Sequence, residues 1–138
     1  MQESRIVLSF PLFFIIMGSA PTATGQANPL REQMEALNAA FHTMIDSVIL
    51  ENLQAVGPAL ASVRQATERL EDAVKSGSPV ILPKNQNRTE DFGKINFHFQ
   101  VDLEDLRQAA ETGQKKVVRN LVHKLMDGCV NCHERFRK

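Results

Sequence analysis

The stretch from Gly128 to Lys138, GCVNCHERFRK, holds both cysteines of a 138-residue chain, three positions apart, with His133 directly after the second. Residues three and four apart on an α-helix share a face, so a helical backbone presents Cys129, Cys132 and His133 on one side. Few chemistries use that set. In Cys-x-x-Cys-His, two thiols add across the vinyl groups of a haem as thioethers, and the histidine offers its imidazole to the iron. The pattern reads as an attachment site for one haem c, with Cys129 and Cys132 as thioether positions and His133 as the proximal axial ligand.

Three other uses compete for the same residues. A thiol oxidoreductase carries its Cys-x-x-Cys after a strand, at the start of a helix, and nothing upstream of Cys129 reads as such a strand. A structural zinc site needs four ligands, which only His42, His98 and His123 are left to complete. A disulfide between cysteines three apart closes a very small loop, where the entropic gain is least.

The rest of the composition is helical. Trp and Tyr are absent, and eight Phe supply much of the large apolar area. Sixteen basic and sixteen acidic side chains cancel, which leaves no field for nucleic acid and no polybasic patch for a membrane. Residues 1–25 read as a secretory signal: a basic start ending at Arg5, an apolar run from Ile6 to Met17, and a small-residue stretch ending Ala23-Thr24-Gly25. The apolar run is shorter than the ~20 residues a bilayer span requires. Cleavage after Gly25 would leave one mature domain, 26–138, with no membrane span. Export to the periplasm agrees with covalent haem, and the two motif cysteines leave none for structural disulfides.

Four helices follow from the pattern. Asn28-Pro29 is an N-cap with proline at the first helical position, and Leu30, Met34, Leu37, Phe41, Met44, Ile45, Val48 and Leu53 continue at helical steps, predicting a helix from Pro29 to Ala55. Gly57-Pro58 separates it from a second helix, Pro58 to Lys75. Ser76-Gly77-Ser78-Pro79 stops that one. Val80 to Arg88 reads as a loop that tucks Val80, Ile81 and Leu82 onto the helices. A third helix is expected from Thr89 to Glu111 and a fourth from Gln114 to Arg137. The expected architecture is all-α: an antiparallel up-down-up-down four-helix bundle with haem near the C-terminal end of the fourth helix.

Taken together, these features resemble the class II c-type cytochromes, the cytochrome c-prime family and its low-spin relatives. Those are exported four-helix bundles with Cys-x-x-Cys-His near the end of the last helix. Specific residues match over the last eleven positions only. There the resemblance implies Phe136 as the aromatic residue after the histidine and Arg137 as the basic residue of the proximal pocket.

The sixth iron position is then the open question, and in the family it lies on the first helix. Met34, in the second turn, would give His/Met ligation and a raised potential suited to electron transfer. Arg31 precedes Met34 by three, where the family commonly has four, and four leads to Glu35, expected to face outward. If Leu37 or Phe41 covers the iron, the haem is five-coordinate and open to NO or CO, with Phe99 a further pocket residue. His98, early in the third helix, is the other distal candidate. His42 and His123 are expected at the surface.

Two functions stay in view: a one-electron carrier without substrate chemistry, and a haem protein that binds NO or CO. A thiol oxidoreductase without haem is the third, from another class. The redox partner is not named by the sequence, and the resemblance leaves a homodimer through the first two helices open.

Overall fold

The computed structural model describes residues 28–137. The expected signal and its cleavage point lie outside that range. All regular structure within it is helical: α1 (Pro29–Ile49), α2 (Val56–Lys75), α3 (Thr89–Glu111) and α4 (Lys115–Phe136), with short 3-10 turns at Leu53–Ala55 and Gln86–Arg88. The arrangement is consistent with a four-helix bundle. No helix among the described residues is long and apolar enough to cross a membrane.

Asn28 caps α1 as expected, its side-chain oxygen accepting the Arg31 N–H at 3.3 Å. The helix ends at Ile49 and does not reach Ala55. Leu50 closes it by donating to the Asp46 carbonyl, and Glu51 turns the chain through the left-handed region at φ 55°. An ion pair with Lys115, at the start of α4, accompanies that turn. In α2, Gly57 and Pro58 sit inside the first turn, where the missing proline N–H costs nothing because the first four donors of a helix have no internal partner. Gly77 and Gly113 make the turns after α2 and α3 with φ of 87° and 70°, a region that favours glycine.

The buried face of α1 differs from the apolar stripe seen in the sequence. Leu30, Gln33, Ala40, Met44 and Ser47 are buried, whereas Met34, Leu37 and Phe41 are only half-buried and Ile45 is exposed. Small residues explain the rotation. Ala36 and Ala40 on α1 and Ala59 and Ala66 on α2 let the two helices pack closely, and interaxial distance follows side-chain size. The flank of α1 towards α4 is left partly uncovered.

Apolar residues gather in two places. The larger core joins Met44, Val56, Leu60, Val63, Leu106, Val118 and Leu125 with their neighbours. The smaller one brings together the start of α1 (Leu30), the end of α2 (Leu70), the loop (Leu82), the start of α3 (Phe92) and the end of α4 (Phe136). The Phe92 and Phe136 rings meet edge to face with centroids 5.5 Å apart.

Candidate functional site

The smaller core opens on one side into a cleft of about 680 Å³. Helix α4 contributes Cys132, His133, Phe136 and Arg137, helix α1 contributes Leu30, Arg31 and Met34, and the loop contributes Ile81, Leu82 and Pro83. The volume falls within the ~300–1,000 Å³ typical of cofactor clefts. Cys129, one turn before Cys132 on α4, is half-buried but is not among the cleft-lining residues.

Residue by residue, the sequence candidates separate. Met34 shares the cleft with His133, as does Arg137. Arg31 lines it too, but its guanidinium pairs with Glu35 at 2.8 Å on the rim. Leu37, Phe41 and Phe99 pack against the larger core. Phe99 nonetheless touches the motif: a Cβ built on Gly128 would stand 3.1 Å from its ring, so α3 approaches α4 closely just before Cys129. His98 is exposed, its ring edge to face with Phe97, and is not among the cleft-lining residues. His42 and His123 are exposed as expected.

The local electrostatics suit a cofactor site better than thiol chemistry. Burial pushes both cysteine thiols up from their ordinary value; the neighbouring thiol adds to this at Cys129, and Arg135 partly offsets it at Cys132. Reactive thiolates have lowered values and favour helix N-termini, whereas these cysteines sit at a C-terminal end, where the helix dipole opposes negative charge. Burial, with Arg137 adding to it, lowers His133, which favours the neutral imidazole, the form that ligates iron. No group of three or more His, Cys, Asp or Glu among the described residues is placed to hold a bare metal ion.

The loop does more than wall the cleft, and this was not foreseen from the sequence. The last four carbonyls of an α-helix lack internal partners. In α4 all four are satisfied. Arg137 N–H donates to His133 O at 2.9 Å, Lys84 Nζ to Glu134 O at 3.2 Å, Asn85 Nδ2 to Arg135 O at 2.6 Å, and Lys84 N–H to Phe136 O at 3.1 Å. Asn85 reaches its position in the left-handed conformation, φ 56°, which asparagine tolerates better than most residues. The loop braces itself through Gln86, which accepts from Leu82 N–H and donates to Val80 O. Leu82 is buried and Val80 half-buried, whereas Ile81 is 65% exposed at the cleft, so only two of the three apolar residues tuck in.

Comparison with family models, with curated proteins and with solved structures finds no match to the chain. The site therefore rests on its own chemistry.

Proposed function

We propose that the chain is an exported mono-haem c-type cytochrome, a class II-like up-down-up-down bundle that carries one electron at a time. The observation that carries this reading is that Met34, from the start of α1, and Cys132, His133 and Arg137, from the end of α4, line one cleft. A thioether and an imidazole lining one partly apolar cleft are the donor set of a low-spin, high-potential haem. Cys132, His133, Met34 and Arg137 suit that group in chemistry and the cleft suits it in volume, with Cys129 one helical turn from Cys132.

In this reading Cys129 and Cys132 anchor the haem, His133 and Met34 bind the iron, Arg137 offsets a propionate charge, and Phe92 and Phe136 exclude water from one edge. The haem itself supplies the one-electron couple. The loop from Val80 to Arg88 fixes the last turn of α4 and with it the direction of His133. Met34 lines the cleft while Leu37 and Phe41 pack elsewhere, which favours methionine ligation over an apolar distal face open to NO or CO.

The test is spectroscopic. The oxidised protein should show the weak long-wavelength band of methionine on ferric haem, and Met34→Ala should remove it and lower the reduction potential. An unchanged spectrum in Met34→Ala rejects that ligand. Rapid CO binding by the untreated ferrous protein would support the gas-binding alternative.

A further inference from the structure

Beyond the cleft, the seam between α1 and α4 continues towards the end of α1 and the start of α4. Phe41, Ile45, Val48 and Ile49 of α1 and Val122 and Met126 of α4 form the apolar walls of a second hollow there, of about 200 Å³. Arg119 and His123 complete the lining, and no acidic side chain joins it. Both are exposed and lie one helical turn apart on α4. Arg119 joins no ion pair among the described residues. Glu51, just past the end of α1, is already paired with Lys115.

Apolar walls with a guanidinium on one edge complement a molecule that has an apolar body and one anionic end. Size narrows the class. At ~30 Å³ for a group the size of a water or a methylene, the hollow's 200 Å³ holds roughly seven such groups. Arg119 and Met126 stand two helical turns apart, ~10 Å along the axis, so the groups can lie in a row. A protein partner needs far more surface, ~20–30 residues a side for a stable interface. Here only Ile45, Ile49 and Met126 of the lining are exposed large apolar side chains, at 36%, 69% and 42%.

We propose that this hollow binds a medium-chain fatty carboxylate. The tail lies along the α1–α4 seam against Ile45, Val122 and Met126, and the carboxylate accepts from the Arg119 guanidinium, whose planar fork of donors matches two carboxylate oxygens. His123 stands one turn further along the same edge. Water leaves the apolar walls as the tail enters, and the charge pair at the edge selects anionic over cationic amphiphiles. Nothing in the cleft takes part, so failure of the haem reading would leave this inference standing.

Amide-resolved NMR of the purified protein, titrated with octanoate, tests it. Saturable shifts are expected at Ile45, Ile49, Val122 and Met126. Octyltrimethylammonium, with the same tail and the opposite charge, should bind at least ~tenfold more weakly. Arg119→Glu should reverse that order with an unchanged circular-dichroism spectrum, since the side chain is exposed. Several results would overturn the proposal. Octanoate might give no saturable shift, shift only the cleft residues Met34 and Leu82, or bind no better than the cationic amphiphile. The same amides might instead shift with protein concentration alone, which would make a second copy the occupant, or only with vesicles of anionic phospholipid, which would make it a membrane. Shifts that appear only once residues 1–27 are removed would give the hollow to the N-terminal apolar run.

Discussion

Met44, Val56, Leu106, Val118 and Leu125, in the larger core, are 1% exposed or less, and every wall around them is protein. Leu30, Leu70, Leu82, Phe92 and Phe136, at the other end, keep 3–9%, and their cluster borders the cleft lined by Met34 and His133. The innermost residues of one region are enclosed by the chain's own side chains, whereas the other region borders a cleft of about 680 Å³, larger than the hollow beside Leu60, Val63 and Leu103. A hydrophobic cluster with one side missing is what a bound cofactor finishes, because the cofactor supplies apolar contact that the sequence does not.

The sharpest way to break that comparison is to truncate one side chain in each region. Leu125→Ala should cost ~2–5 kcal/mol, the usual range for a fully buried leucine, equally with and without haem. Phe136→Ala should cost ~3–5 kcal/mol in the loaded protein and clearly less without haem. Chemical denaturation of both forms measures the four values. Equal penalties for Phe136→Ala in the two forms would remove the distinction between the regions.

A polar contact between α1 and α2 comes next. Gln33 is fully buried; its Nε2 donates to Thr67 Oγ1 at 2.9 Å, the Thr67 hydroxyl donates to Val63 O at 3.0 Å, and Gln33 Oε1 has no partner. Thr67→Val should cost ~1–3 kcal/mol by leaving the amide wholly unpaired, and adding Gln33→Leu should recover most of that loss. A double variant no better than the single one would contradict this account.

Smaller effects belong to the loop and the surface. Asn85→Gly keeps the left-handed backbone but removes the bond to Arg135 O, and should cost ~1 kcal/mol with faster amide exchange in the last turn of α4. Smallest of all, Arg107 and Gln108 donate to Glu104 and hold its carboxyl down at about 2. A carboxylate lowered on folding stabilises fully above its ordinary value of 4.5, and that contribution is lost as pH falls towards 2. On a half-exposed side chain it stays below ~1 kcal/mol, and Glu104→Gln should flatten the acid dependence of stability over that window.

Much of the helical frame was legible because its signals are local. Asn28-Pro29, Gly77, Gly113 and the 3.6-residue period each act within a few positions. The end of α1 was not, because Glu51 in the left-handed region pairs with Lys115, 64 residues away. The inner face of α1 was misread for a related reason. Gln33, Ala40 and Ser47 are buried through close approach to α2, and a hydrophobicity pattern does not weigh small or polar residues as core. Of the site candidates read from residue type and position, Met34, His133 and Arg137 line one cleft, whereas Leu37, Phe41, Phe99 and His98 do not. Lys84 and Asn85 were not among those candidates, since what they do is satisfy carbonyls 50 residues ahead. The Asn following Pro83-Lys84 was the available signal, and it marks a turn without naming what the turn holds.

The measurement that bears most directly on the central claim is the pyridine haemochrome spectrum of the denatured protein, made in a host that attaches c-type haem. Haem that stays with the polypeptide through denaturation, at one per chain, and is lost in Cys129→Ala with Cys132→Ala, is the predicted result. A chain that emerges without haem, with both thiols free to titrate, would contradict it.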